Sequence, residues 1–350
     1  MIQYSLAIPT FNRSGDLKIL LDSILVNLQN LNPIFLNAIE ILVSNNASTD
    51  NTHNLLNNYK KKMPCSFKVF TQKNNIGFDK NWFFCFKKSR GTYVHVVGDD
   101  DVMMPGFLEF IFKNKYLNLD LPLISIKTFG YDIEPVSERP LVLNSYLKIV
   151  SKFVFLKNIK STLTFISAVL IKKDKIKELN VFSKFIGTAI IHVPILLALL
   201  KEGNKFGLID DYFIAAKRSN LPNFCFIEFL VMRVKEVFEI IFGKSKEGGY
   251  LKKIYFNQLL LDFVPLEILR YKIYKPSFAT GYKKKLFVFF SHNWRFWLFS
   301  FPVMLIPVNF KFFSYFFIIL GKLVAGNHRR VFFEVFNRLC LIRFFKKNKS

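Results

Sequence analysis

The sequence is poor in cysteine. Its four, Cys65, Cys85, Cys225 and Cys340, stand far apart with no Cys-X-X-Cys pair among them. That excludes a thiolate zinc cage and a disulfide framework, and it fits a reducing compartment. Acidic residues are also scarce: 25 Asp plus Glu face 50 Lys plus Arg, for a formal charge of +25. So strong an excess predicts a phosphate-rich ligand, another anion or a membrane surface as partner. A nucleotide bias in the gene accounts for the abundant Lys more easily than for 43 Phe. No recognised nucleic-acid motif accompanies the charge, so no nucleic acid is expected as a partner.

Also absent is an unbroken apolar run of the roughly 20 residues needed to span a bilayer. Residues 296–308 and 312–320 come nearest, but Pro302, Pro307, Asn309 and Lys311 interrupt them. An interfacial or re-entrant element is predicted instead. The N-terminus lacks the basic and apolar regions of a signal peptide, which predicts a cytoplasmic chain. Gly243-Lys-Ser245 is not a phosphate-binding Walker loop, because Phe238 stands where its first glycine would be. What is present is ample apolar material: 51% hydrophobic residues in 350 exclude a disordered chain and leave room for two domains or one large one.

The first 115 residues alternate short apolar runs with stretches of helical period, the pattern of strand and crossover-helix units in a parallel sheet. Strands are predicted at 4–10, 39–46, 65–72 and 93–99, and helices at 16–28, 49–61 and 78–89. Ser14 and either Ser48 or Thr49 are placed to cap the first two helices. Residues 121–128 and 163–172 are strand-like, and 188–201 is helical up to Gly203, so 116–242 completes an α+β half of the same domain. The polar, glycine-rich segment 243–249 is predicted to be a linker. Beyond it, residues 241–350 hold 20 Lys or Arg against four acids and so carry +16 of the net charge. From Asn327 a helical wheel separates a polar stripe (Asn327, Arg330, Glu334, Asn337, Arg338) from Val331, Phe332, Val335, Phe336, Leu339 and Ile342. Such a helix suits an anionic membrane surface, or alternatively a core packed on the preceding domain.

The sharpest local feature is Gly98-Asp99-Asp100-Asp101, which follows an apolar strand and precedes Pro105. Three adjacent carboxylates repel one another, so a divalent cation with a preference for hard oxygen ligands would relieve the site; Mg²⁺ held this way completes its shell with water and phosphate oxygens. The other reading is a helix start whose acids suit its dipole. Three further polar clusters, Pro9-Thr-Phe-Asn-Arg13, Ser44-Asn-Asn-Ala-Ser48 and Asn74-Asn-Ile-Gly77, each sit at the C-terminal end of a predicted strand. In a parallel sheet these ends share one rim, where ligands bind.

These residues resemble family 2 of the GT-A glycosyltransferases, inverting enzymes that take a sugar from a nucleotide diphosphate. The resemblance runs through Ser5-Leu-Ala-Ile-Pro-Thr-Phe-Asn-Arg13, Glu40-Ile-Leu-Val-Ser-Asn-Asn-Ala-Ser-Thr-Asp50, Asn75-Ile-Gly-Phe-Asp-Lys-Asn81 and Gly91-Thr-Tyr-Val-His-Val-Val-Gly-Asp-Asp-Asp101, about a third of the chain. The pattern is most similar to the branch containing abequosyltransferase-type enzymes of bacterial surface polysaccharides. The resemblance implies a Rossmann-like, mostly parallel α/β domain over 1–242, with a nucleotide-sugar half (1–115) and an acceptor half (116–242); composition and pattern add a helical, basic, aromatic-rich region at 250–350.

It further implies that Pro9, Thr10, Asn12, Arg13, Asn45, Asn75, Gly77, Lys80, Asn81 and Asp99 contact the nucleotide sugar, and that Asp100, with Asp101 beside it, binds Mn²⁺ or Mg²⁺. Asn45 departs from the family, which often has Asp there. The acidic pair that usually supplies the catalytic base is missing, and the equivalent spacing before Gly203 lands on His192. An imidazole suits that task, although a lone histidine in an apolar helix is equally a core residue. Asp210 and Asp211 are the other candidates for base or orienter, or else mark a turn between strand segments.

The activity so implied is metal-dependent inverting transfer of a sugar to a glycan or lipid-linked oligosaccharide in bacterial surface-polysaccharide assembly, at the inner face of the cytoplasmic membrane. Two rival readings are a membrane-associated nucleotide-sugar-binding protein without turnover and a metal-dependent phosphoryl transferase.

Overall fold

The computed structural model describes residues 1–131, 135–142, 144–217, 228–274 and 276–325. The chain divides into two compact units, Met1–Pro222 with Arg233–Gly249, and Asn223–Met232 with Tyr250–Ser350.

The first unit is built on a nine-stranded sheet. In chain order its elements are β1 (Tyr4–Thr10), α1 (Ser14–Gln29), β2 (Ile39–Asn45), α2 (Thr52–Lys60), β3 (Ser66–Thr71), α3 (Phe78–Lys88), β4 (Tyr93–Val96), β5 (Asp101–Met103) and α4 (Phe107–Lys113). Then follow β6 (Leu123–Tyr131), β7 (Leu147–Val150), α5 (Lys152–Ile159), β8 (Val169–Lys172), α6 (His192–Glu202), β9 (Phe206–Lys217) and α7 (Val234–Phe242). The strand order is β3-β2-β1-β4-β8-β6-β9-β5, with β7 also paired to β9. β1 to β4 are mutually parallel, and β8 adds antiparallel to β4.

Every residue of β1 and β2 is buried, as befits parallel strands covered on both faces. The period of two divides them: Tyr4, Leu6, Ile8, Ile39, Ile41 and Val43 join Leu17, Leu20, Leu21 and Ile24 of α1 in one core. On the opposite face α3 packs on β1 and β2, and its Trp82 stacks on Phe86 with ring centroids 5.3 Å apart. Each fully buried Leu or Ile contributes about 1.5–3 kcal/mol to this arrangement.

Several elements differ from the sequence-based expectation, for local reasons. The strand expected at 93–99 stops at Val96, because the chain turns at Gly98, whose carbonyl accepts the Asp101 N–H at 3.2 Å, and β5 then pairs antiparallel with β9. The strand expected at 163–172 is confined to Val169–Lys172. Ahead of it, Thr162 and Thr164 donate their hydroxyls to the carbonyls of Ile159 and Ser161 and hold the chain in 3₁₀ turns. The helix expected from 188 begins at His192, since Gly187 (φ 96°) and Ala189 (φ 61°) are left-handed.

The helix caps also move. Asp50 accepts the Ser14 and Thr52 N–H groups at 2.8 and 3.1 Å, serving the starts of both α1 and α2, while Ser48 Oγ accepts from Asn12 N. Asp210 and Asp211 lie in a β-bulge of β9 rather than in a turn.

In the segment expected to be a linker, only 243–245 is a connection. Gly243 (φ 57°) ends α7, and α8 (Lys246–Asp262) starts where Ser245 Oγ accepts the Gly248 N–H at 3.1 Å.

The second unit is helical in its described part. α9 (Val264–Tyr274) and α10 (Pro276–Phe290) are followed by a π-helical turn (Phe296–Ser300), α11 (Phe301–Leu305) and α12 (Lys311–Val324). Gly321 lets α12 lie close to its neighbour: a Cβ there would come 2.4 Å from the Leu261 carbonyl oxygen. Among the described residues no helix is long and apolar enough to cross a membrane. The amphipathic helix expected from Asn327 lies outside the described residues.

Candidate functional site

β1, β2, β3 and β4 run in one direction, so the loops that follow them share one rim of the sheet. Those loops are knitted together. Asn46 N donates to Thr10 O at 2.9 Å, Thr49 N donates to Asn12 Oδ1 at 2.8 Å, and Asn46 Nδ2 donates to Asn75 Oδ1 at 2.8 Å. Asn46 Oδ1 accepts the Ile76 N–H at 2.9 Å. Asn12 adopts φ 52°, a region asparagine tolerates better than most residues.

Arg13 and the acidic turn form the charged centre of this rim. One guanidinium nitrogen lies 3.1 Å from Asp99 Oδ1 and 2.7 Å from Asp100 Oδ2. Asp99 is buried, and burial pushes its carboxyl up to about 6, with Arg13 opposing the rise and Asp100 adding to it. The buried Thr10 hydroxyl faces the same carboxyl but is off hydrogen-bonding geometry. Asp100 is the exposed member, its side chain 39% accessible.

Asp101 points the other way. Ser167 Oγ accepts the Gly98 N–H at 2.8 Å, so its own proton goes to Asp101 Oδ2. Burial, and then the neighbouring Asp100, hold Asp101 well above the ordinary carboxylate range. Ser167 is fixed in turn by His95. The Ser167 carbonyl can only accept, so His95 Nε2 carries the proton it donates there at 2.8 Å, and Nδ1 accepts from Tyr4 Oη at 2.7 Å. Among the described residues no group of three or more His, Cys, Asp or Glu side chains is placed to hold a metal ion.

The other residues singled out in the sequence divide into three groups. On the rim are Pro9, Thr10, Asn12, Arg13, Asn75 and Gly77. Asn45 and Asn81 are buried and committed: Asn45 Oδ1 accepts the Ser48 N–H at 2.9 Å, while Asn81 exchanges bonds of 2.6 and 3.1 Å with Ser44. Lys80 is exposed on the first turn of α3.

Away from the rim are Asp210 and Asp211. Asp101 pairs with Ala216 in β9, and Asp211 lies five residues earlier, about 17 Å along the strand. Asp210 is held by Lys127, by Tyr146 Oη at 2.7 Å and by Lys148 at 3.4 Å; partial burial raises its carboxyl, but these bonds prevail and take it to about 2. Asp211 meets Arg139 at 3.0 Å and the Ser145 hydroxyl.

His192 opens α6, which the rim does reach. Asp79, on the first turn of α3, accepts the N–H groups of Gly187 and Ala189 at 2.7 and 2.8 Å, with Ile191 N at 3.5 Å. This carboxylate fills a concavity of backbone N–H groups made by the left-handed residues. His192 follows immediately, 3% exposed and with its ring 6.0 Å from Trp82; the Thr164 backbone faces the ring, but neither ring nitrogen is in hydrogen-bonding geometry. Burial lowers its pKa to about 4.

Sequence reasoning passed over Asp79, Ser167, Asp50 and Lys217, whose Nζ lies 2.7 Å from Asp16 at the start of α1. Asp50 and Asp79 stood inside the recognised motifs. Ser167 and Lys217 carried no local signal.

Residues 5–151 match the family described as glycosyl transferase family 2. A curated relative, the abequosyltransferase RfbV of Salmonella typhimurium, is 26% identical over 210 residues, which are 56% of this chain and 60% of that protein. The chain thus matches less than two thirds of that relative's length. Among solved structures, residues 1–349 of Staphylococcus aureus TarS superpose with a TM-score of 0.53 at 17% identity, over 74% of this chain and 72% of that one. The same protein in complex with UDP-GlcNAc gives 0.54 at 16% identity, with 74% and 73% covered.

Proposed function

We propose that this chain, which carries a family 2 glycosyltransferase domain of the GT-A fold, transfers a sugar from a nucleoside diphosphate donor to a hydroxyl of a glycan or lipid-linked oligosaccharide during bacterial surface-polysaccharide assembly. The observation that carries the reading is the rim itself. Four loops converge there, and a cation from one of them, Arg13, sits on two carboxylates of another. The likeness to an abequosyltransferase and to a protein solved with UDP-GlcNAc supports the same substrate class.

In this reading the donor lies across the loops after β1, β2 and β4. Arg13 and Lys80 supply positive charge for the diphosphate, and Asp99 takes a sugar or ribose hydroxyl. The residues present fit a divalent cation held by Asp100 together with diphosphate oxygens and water, since Mg²⁺ needs only one or two carboxylates. When bound, Mn²⁺ or Mg²⁺ would neutralise charge growing on the departing diphosphate. Asp101 does not fit a ligand role in this conformation, because its carboxyl is buried on Ser167.

Of the three candidate bases, His192 is favoured. It is joined to the rim through Asp79, and its nitrogens are uncommitted, whereas Asp210 and Asp211 are engaged in ion pairs away from it. Neutral in the fold, the imidazole would accept the acceptor hydroxyl's proton as that oxygen displaces the diphosphate and inverts the anomeric carbon. The basic, aromatic composition of the second unit supports a reading in which this work is done at the cytoplasmic face of a membrane.

The test is thermal denaturation of the purified chain against a panel of nucleoside diphosphates and their sugars, with and without Mn²⁺ or Mg²⁺, repeated on Asp100→Ala. A metal-dependent rise in Tm for one nucleotide, lost in the variant, is expected. No rise with any nucleotide under any metal would overturn the reading.

A further inference from the structure

Helix α12 is amphipathic in the reverse sense. The face it buries is small or polar at three of four positions, Ser314, Gly321 and Lys322 alongside Ile318, while Phe312, Phe313 and Phe316 are 59–69% exposed and Leu323 and Val324 continue that side. A water-facing helix is expected to do the opposite. Small residues against a neighbouring helix, with large apolar ones outside, are what helices in contact with lipid display. The inward face is well fitted, as the approach of Gly321 to Leu261 O shows, so the exposed phenylalanines are not the product of a loose element.

The π-helical turn on which α12 packs buries Phe296, Phe299 and Ser300 but leaves Trp297 and Leu298 exposed, as is Trp294 just before it. Trp294 and Trp297 are 56% and 41% accessible, and Phe287 lies edge-on to Trp297 at 5.6 Å. Amphipathic aromatics of this kind favour the boundary between water and acyl chains. Lys283 and Lys284, on the turn of α10 before Phe287, are exposed, as are Lys285, whose Nζ lies 3.9 Å from Glu228 Oε2, and Lys311 at the start of α12. Cations bordering an apolar surface select an anionic bilayer over a neutral apolar partner. No described helix can cross a membrane, which leaves the interfacial plane.

We infer that the outward face of α12 and the turn 294–298 insert shallowly into an anionic lipid surface, with Lys283, Lys284, Lys285 and Lys311 on the headgroups. This deepens the membrane-side part of the proposed function and rests on it. It assigns the contact to particular side chains within and beside the stretch for which the sequence predicts an interfacial or re-entrant element.

The experiment uses the full chain and vesicles of phosphatidylcholine with or without phosphatidylglycerol. Two of the chain's three tryptophans lie on this surface and the third, Trp82, is buried, so tryptophan fluorescence reports the contact directly. Brominated lipids are expected to quench it, together with a blue shift, only when phosphatidylglycerol is present. The combined variant Phe312→Ser, Phe313→Ser, Phe316→Ser should partition at least about tenfold more weakly. The combined variant Lys283→Gln, Lys284→Gln, Lys285→Gln should lose most of its preference for phosphatidylglycerol at low salt.

Absence of quenching in the unaltered chain would overturn the inference whether or not the variants fold. So would undiminished partitioning of a folded phenylalanine variant, or a change only from dimer to monomer, which would make a second copy the occupant of this face. Turnover on a soluble acceptor, expected to be unchanged in the phenylalanine variant, separates failure of this inference from failure of the transferase reading.

Discussion

Arg13 and Asp100 meet at 2.7 Å across a gap of 87 residues, and the same guanidinium holds Asp99 at 3.1 Å. The domain thus carries its own cation on two carboxylates of the acidic turn. Arg13 therefore neutralises part of the negative charge of the turn and favours the ionised form of Asp99 against its burial.

Removing that cation is expected to matter more for the donor than for the fold. Arg13→Ala, at a half-exposed side chain, should weaken donor binding about 10- to 100-fold, the usual worth of a charged hydrogen bond. Calorimetric titration with the nucleotide found in the thermal screen measures it. Without the guanidinium the Asp99 carboxyl should also titrate higher than its present value of about 6, which NMR of the carboxyl carbon would register.

Asp79 is expected to be a positioning residue. Asp79→Ala strips the acceptor from the N–H groups of Gly187 and Ala189 in a loop with two left-handed residues, at a cost of about 3 kcal/mol or more. Urea denaturation should show this loss, and Asp79→Asn should recover part of it. In the folded fraction, kcat should fall further than the donor's KM rises, because the loop leads to His192 rather than to the nucleotide. An unchanged midpoint in Asp79→Ala would contradict the geometry.

Two buried neutral imidazoles should make the domain sensitive to acid. His192 and His95 are buried neutral, each with a folded pKa of about 4 against roughly 6.5 unfolded. Between those values the unfolded chain binds more protons than the native one. The stability contributed by these two neutral imidazoles is thus complete above pH about 6.5 and declines as pH falls towards 4, by about 3 kcal/mol for each. Asp99, raised to about 6, offsets part of the loss, because its folded carboxyl binds a proton more readily than the unfolded one. His192→Leu should remove about half of that decline. If His192 is the base, His192→Asn should lower turnover about 10²- to 10⁴-fold with donor binding intact. Urea midpoints at pH about 7 and 4, and steady-state rates, check the two halves.

Asp210 and Asp100 offer a contrast between two carboxylates of one sheet. Asp210→Asn, far along β9 and tied to Lys127 and Lys148, should change donor affinity less than about twofold, the scale of a rearranged surface ion pair. Asp100→Ala should abolish the metal-dependent part of that affinity. Equal losses in both would mean that the bulge of β9, not the rim, reads the donor.

The sequence by itself determined the parallel half of the domain. Its strands are runs in which β-branched and other apolar side chains fill both faces, and the polar residues that terminate them must share an edge once the strands are parallel. Asp99, Asp100 and Arg13 were legible for that reason. Only the tertiary structure decided which of three adjacent aspartates turns inward, because that depends on Ser167, 66 residues away in sequence. It likewise tied His192 to the rim, through Asp79 at a separation of 108 to 112 residues, and set Asp210 and Asp211 apart from it by the register of β9. The outward phenylalanines of α12 belong to the same class: periodicity defines two faces of a helix, but which one is buried is settled by the fit of Gly321 against Leu261. Local pattern specifies elements and their faces. Partners brought together by packing specify the protonation, orientation and accessibility on which chemistry depends.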